Sequence, residues 1–263
     1  MNGNNDHTDT HAAKINGNEE KESINEQAHN DNHTSQKSDG EDSGQSDHVA
    51  SSKSEVVTNV KYEKGLITID VKDKDQNSPK LEISHEKIMH LIIVSADLEN
   101  YYHLHPLKKG NGMYTQKFAL PENSYKVFVD MKPKNFAYQV SPIELQVGKG
   151  HGEHEGNTLK ADTKSTKTIN EKTVELTATE LGINKAVTLN FDTKGITPEP
   201  YLGALGHVVI LDDKGGKFVH VHPTSEYKTL FETKFDKAGN YKVWGEFKFD
   251  GKVNSYPFVI KVK

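Results

Sequence analysis

The 263-residue chain contains no cysteine. That absence removes disulfide frameworks, thiolate zinc sites, cysteine nucleophiles and iron–sulfur centres at once. Arginine is missing too, every one of the 33 basic residues being lysine, so bidentate guanidinium reading of phosphates or bases is excluded. With a formal net charge of −5, nucleic acid is not an expected partner. No run of about 18 apolar residues is present to span a membrane as a helix, and no charged and apolar leader opens the chain. A G-x-S-x-G elbow, an H-E-x-x-H helix and a glycine-rich phosphate loop are all absent. No general base or substrate cleft can be named, so an enzyme is not expected.

What is present divides at residue 54. Residues 1–54 carry 11 acidic residues against four Lys, a net of −7, and only eight hydrophobic residues. Such a segment buries too little apolar surface to offset chain entropy and is expected to be a disordered acidic tail. Met1 followed by Asn2-Gly3-Asn4-Asn5 and a long polar stalk resembles a secreted or lipid-anchored protein without its leader. An extracytoplasmic location is expected on that basis, with membrane contact only through a lipid anchor outside this sequence.

Beyond the tail, apolar residues alternate with the period of half-buried strands. Val56–Tyr62, Leu66–Val71, Met89–Val94, Tyr125–Val129, Ala186–Phe191, His207–Leu211, Tyr241–Phe249 and Tyr256–Val262 are examples. Met89–Pro106 (MHLIIVSADLENYYHLHP) lies without a gap over Gly206–Pro223 (GHVVILDDKGGKFVHVHP), and NSYKVFVD at Asn123 lies over GNYKVWGE at Gly239. The sequence therefore predicts an all-β monomer of two tandem immunoglobulin- or cupredoxin-like antiparallel sandwiches, residues 55–147 and 168–263, joined by a flexible linker, 148–167. Tyr125 and Tyr241, each opening a late strand after a turn, resemble the tyrosine corner of Greek-key sandwiches.

Histidine is repeated with the fold. His90, His103 and His105 in the first copy correspond to His207, His220 and His222 in the second, with identical spacing. A hairpin turn centred between Asp97 and Leu98 makes opposed residue numbers sum to 195, so His90 faces His105 and Ile92 faces His103. A turn between Lys214 and Gly215 gives 429, opposing His207 to His222 and Val209 to His220. Residues two apart share a face, so three imidazoles converge in each copy, while Tyr102 and Leu104, or Val219 and Val221, fill the core. Opposed Cβ atoms about 4.5–5.5 Å apart suit one ion with metal–nitrogen bonds of about 2.0–2.1 Å. The alternative is a strand end whose imidazoles hydrogen-bond the backbone, as in a non-catalytic surface adhesion module.

Asp130 and Glu246, equivalent in the repeat, are candidate fourth ligands, although solvated strand ends are the simpler expectation for both. Met89 and Met131 are candidate soft ligands for Cu(I) in the first copy only. His7, His11, His29, His33 and His48 in the tail, and His151 and His154 in the linker, suit weak cation scavenging at most. His85 has Leu202 in its place in the second copy and is left out of the site. Imidazole donors suit copper, as Cu(II) or with methionine as Cu(I), and also zinc, while the lack of a thiolate excludes a blue-copper centre.

The elements Leu202-Gly203-Ala204-Leu205-Gly206-His207-Val208-Val209-Ile210 and Val219-His220-Val221-His222-Pro223 resemble modules of bacterial extracytoplasmic copper-handling proteins, similar in kind to the CopC-like and YtkA-like β-sandwiches. The resemblance covers both repeats. It implies an envelope location and a role in sequestering copper or delivering it to a membrane metal transporter.

Overall fold

The computed structural model describes residues 53–149, 159–219 and 221–263. All but two residues of the expected tail, and residues 150–158 of the expected linker, lie outside them. The described chain is all-β and forms two immunoglobulin-like antiparallel sandwiches in tandem.

The first repeat comprises β1 (Val56–Glu63), β2 (Leu66–Asp73), β3 (Leu81–Glu82), β4 (His90–Ser95), β5 (Tyr101–Leu104), β6 (Leu107–Gly110), β7 (Met113–Lys117), β8 (Asn123–Asp130), β9 (Lys132–Pro133) and β10 (Ile143–Val147). The second comprises β11 (Thr166–Ile169), β12 (Lys172–Ala178), β13 (Ala186–Asp192), β14 (His207–Asp212), β15 (Phe218–Val219), β16 (His222–Pro223), β17 (Leu230–Lys234), β18 (Gly239–Phe249) and β19 (Lys252–Val262). Sheet orders are β1-β2-β7-β6 and β10-β8-β4-β5 in the first, β11-β12-β13-β17-β16 and β15-β14-β18-β19 in the second, with β3-β9 as a small extra pair.

Alternation builds each core. Ile67, Ile69 and Val71 of β2 face Leu91, Ile93, Tyr125, Val127 and Val129 of the opposite sheet, and all are buried. In the second repeat Val187, Leu189 and Phe191 of β13 face Val208, Ile210, Val243, Phe247 and Phe258. Removing such side chains from water, at about 25 cal/mol per Å² of apolar surface, is the main force holding each sandwich. Both expected tyrosine corners form: Tyr125 Oη donates to Pro121 O and Tyr241 Oη to Lys237 O, each at 2.9 Å and four residues upstream. Tyr125→Phe and Tyr241→Phe are each expected to cost about 1 kcal/mol in urea unfolding, because the Pro121 or Lys237 carbonyl loses its partner; no change in midpoint would remove the corners from the account of stability.

The outer faces of the two histidine-bearing sheets are not solvated. Residues 92, 94 and 128 of the first repeat and 209, 211 and 244 of the second are Ile, Val, Phe, Val, Leu and Trp, and they pack together with Leu98 and Leu159 in a third apolar cluster. This seam joins the repeats, and all six residues of β4 are consequently buried. Lys242 Nζ reaches Glu99 across it at 3.3 Å. Two described residues of the expected linker contact the sandwiches: Leu159 is buried in the seam, and Asp162 exchanges two 2.9 Å hydrogen bonds with the backbone of Val259 on β19.

Candidate metal centre

The strand registers bring the histidines to one end of the seam. In β4 and β5, Ile92 opposes His103 and Leu91 opposes Leu104, the index sum of 195 expected from the turn. His90 is then the first residue of β4, and His105 follows the last residue of β5. In β14 and β15, Ile210 opposes Val219, which satisfies the sum of 429. Residues 90, 92 and 94 share the seam face of β4, as 207, 209 and 211 share that of β14. Packing these faces together carries His207 to the histidines of the first repeat.

Four imidazoles therefore meet. The His90, His103 and His105 rings offer nitrogens that all lie within 4.8 Å of one another. The His207 ring stacks on His90 with centroids 5.5 Å apart and planes inclined by 9°, and its centroid is 4.9 Å from that of His103. His85 stands edge-on to both, 5.5 Å from His207 and 6.1 Å from His90. It occupies, with Glu86, the tip of a two-residue turn in the left-handed region, φ 47° and 62°, closed by the Ser84–Lys87 bridge.

Glu246 enters from β18, where it opposes His207. Its carboxylate is buried, and Oε2 lies 2.6 Å from His103 Nδ1. Gly206 makes this approach possible: a Cβ there would stand 2.5 Å from the Phe247 ring and 2.9 Å from Glu246 O. Burial comes first among the causes that hold these rings neutral. It lowers His90 to about 4 despite the Ser84 hydrogen bond, with His103 adding repulsion. His105 falls to about 3 through burial, then His103 and His90. His207 lies well below the ordinary imidazole value, through burial and then the neighbouring imidazoles. Burial, followed by the nearby Glu246 charge, holds the Tyr101 hydroxyl well above the ordinary phenol value.

The hydrogen bonds around the cluster fix which ring nitrogens face one another. Ser84 O, 3.0 Å from His90 Nε2, only accepts, so the single proton of neutral His90 sits on Nε2 and Nδ1 is bare. The Glu246 carboxylate accepts from His103 Nδ1, which turns His103 Nε2 toward His90 Nδ1. Those two nitrogens are 3.0 Å apart. At that separation the two nitrogens can share a proton in a hydrogen bond or bind one cation between them. Two nitrogens on one ion, each at about 2.0–2.1 Å, stand roughly 3–3.5 Å apart. His105 Nε2, beside them, is buried with no hydrogen-bond partner.

A family model described as a domain of unknown function, DUF8832, matches the chain twice, over residues 48–148 and 167–263. The chain belongs to the DUF8832 family. No curated protein matches its sequence. Among solved structures, a two-domain fibronectin type III segment of chicken tenascin aligns with 80% of the chain and all of its own length, at 11% identity and a TM-score of 0.24. The Escherichia coli adhesin FdeC aligns at 15% identity over 81% of this chain and 65% of its own, with a TM-score of 0.24. The BSP domain of a biofilm-associated protein aligns at 11% identity over 80% of this chain and 30% of its own, with a TM-score of 0.22.

The two DUF8832 repeats do not treat their histidines alike. His90, His103, His105 and His207 come together. His222 does not join them: it is exposed in β16 and opposes Glu232 of β17, in the other sheet of the sandwich. The crossover begins at His222, whereas in the first repeat it begins at Leu107, two residues beyond the equivalent His105. A strand that has already changed sheets cannot oppose His207. His220 lies outside the described residues, as do all the tail and linker histidines. Among the described residues one three-histidine group forms, in the first repeat.

The methionines are corrected as soft ligands. Met89 and Met131 are buried in the core of the first sandwich, and Met89 lies on the opposite face of its strand from His90. Glu246 is buried rather than a solvated strand end, whereas its equivalent Asp130 is half-buried and opposes His90. His85 was missed because its position carries Leu202 in the second repeat. Its only signal was its place in the turn leading into β4.

Proposed function

We propose that this chain binds a divalent transition-metal ion at the histidine cluster, as an extracytoplasmic protein that sequesters the ion or passes it to a membrane transporter. The observation that carries the reading is His105 Nε2, a buried imidazole nitrogen without a partner, in a group of three histidines whose nitrogens lie within 4.8 Å of one another. Leaving such a group unpaired costs roughly 1–3 kcal/mol, which a bound ion recovers. Nitrogen donors without sulfur favour Cu(II) over Zn(II) by the usual affinity order. The loss of both methionines to the core argues against Cu(I).

Metal-stripped full-length protein, given Cu(II) or Zn(II) at about 100 times the dissociation constant, is expected to gain roughly 2.7 kcal/mol in stability. His105→Ala is expected to lose that gain. The single tryptophan, Trp244, is a second reporter, because it lies on the seam face of β18 two residues before Glu246. Cu(II) is expected to quench its fluorescence and Zn(II) to leave it bright.

The second reading is a non-catalytic surface interaction module whose histidines are packing elements. It is supported by the hydrogen bonds that His90 and His103 already make to Ser84 and Glu246. Equal melting temperatures for parent and His105→Ala, with and without metal, would favour it.

A further inference from the structure

We infer that the two repeats build one centre jointly, with His207 of the second repeat as a ligand to the ion held by His90, His103 and His105, and Glu246 as the residue that positions His103. This rests on the metal reading above and adds that the chain carries one ion at its seam instead of one in each sandwich.

Three imidazoles leave a tetrahedral ion one donor short. The imidazole of the second repeat packed against this group is that of His207, whose ring lies parallel to His90 and 4.9 Å from His103, centre to centre. Among the described residues of the second repeat, the ladder between β14 and β15 pairs Ile210 with Val219 and Leu211 with Phe218, and His222 lies in the opposite sheet. That repeat therefore lends its first histidine to its neighbour's site. The equivalence of His90 and His207 in sequence conceals this division of labour, because identical positions on two packed faces become neighbours across the seam.

Glu246 completes the arrangement from the same strand pair. Its Oε2 accepts from His103 Nδ1 at 2.6 Å, which fixes the tautomer that turns Nε2 toward the other rings. A carboxylate behind a ligating imidazole raises its basicity and holds its plane, and removing such a partner commonly weakens binding by about 10–100-fold. Here that carboxylate belongs to the other repeat, so ion affinity depends on the seam being closed. Gly206, with room for no side chain against Phe247 and Glu246, keeps β14 and β18 close enough for both groups to reach the site.

The test titrates metal-stripped full-length protein with Zn(II) against a chromophoric chelator, and with Cu(II) followed by electron paramagnetic resonance, which counts coordinated nitrogens. The parent is compared with His105→Ala, His207→Ala, His207→Phe, Glu246→Gln and His222→Ala. His207→Phe preserves the ring stack without a donor, so it separates lost ligation from a damaged seam.

One tight equivalent is expected for the parent. Both His207 variants should weaken it at least 10-fold and remove one nitrogen from the copper spectrum. Glu246→Gln should weaken it while leaving the nitrogen count unchanged, and His222→Ala should change nothing. A second tight equivalent abolished by His222→Ala would overturn the inference. So would His207→Phe with parental affinity and nitrogen count while His105→Ala loses the ion, and that result leaves the metal reading standing. Absence of a tight equivalent in the parent, or indifference to His105→Ala, removes the metal reading and this inference with it.

Discussion

Acidifying the metal-free protein from pH 6.5 to pH 4 is expected to strip away much of its stability. In the folded chain His90 is lowered to about 4, His105 to about 3, and His207 well below the ordinary value, each chiefly by burial. In the unfolded chain the same imidazoles take up protons near 6.5. Above 6.5 both states are neutral and nothing is lost. As pH falls below 6.5 the unfolded state binds protons that the folded state refuses, so stability declines with pH until the folded-state values are reached.

Each fully buried imidazole contributes a slope of up to about 1.4 kcal/mol per pH unit. His105 and His207, both half-buried, contribute less. Against a total stability of about 5–15 kcal/mol for an ordinary domain, three such groups suffice to bring the acid transition near pH 5. Urea unfolding of chelator-treated protein at pH 7.5, 6 and 5 measures the decline. His207→Phe should flatten it, because the variant removes one of the protons taken up. A midpoint constant across that interval would show that the rings are charged, or solvated, in the folded chain.

Much of this architecture was legible in the residues. Alternation marked the strands, the repeat gave the tandem, and both tyrosine corners closed on carbonyls four residues upstream. The register of the first histidine hairpin followed from the turn at Asp97-Leu98, and the pairing of Ile92 with His103 agrees with it. What misled the reading was treating each sandwich as solitary. The runs HLIIV and HVVIL are apolar on both strand faces, a pattern of strands covered on both sides, and Ile92, Val94, Val209 and Leu211 on the histidine faces announced the seam. Without it Glu246 reads as a strand end and His207 as half of a second site. The early crossover at His222 left no comparable signal, since the second repeat spells the same H-x-H-P.

Trp244→Ala is expected to cost about 3–5 kcal/mol, the range for emptying a buried aromatic site. Trp244 is 2% exposed in the middle of the seam. It stacks on Tyr101 of the other repeat with centroids 4.7 Å apart and planes inclined by 15°. Its neighbours there, Phe128, Val209 and Leu211, come from both sandwiches, so the cavity weakens their union more than either core. The cores themselves contain Ile67, Leu91 and Val127 in one repeat and Phe191, Val243 and Phe258 in the other, and none of these belongs to the seam cluster. Urea unfolding of the variant should therefore separate into two transitions, whereas Phe247→Ala, which empties the second core and leaves the seam cluster intact, should lower a single transition. Because Glu246 stands two residues along the same face of β18, loosening the seam also withdraws the carboxylate from His103, and Zn(II) should stabilise Trp244→Ala less than the parent. A variant that unfolds in one transition within 1 kcal/mol of the parent, a cost typical of an unburied position, would mean that the repeats are held by something other than this aromatic contact.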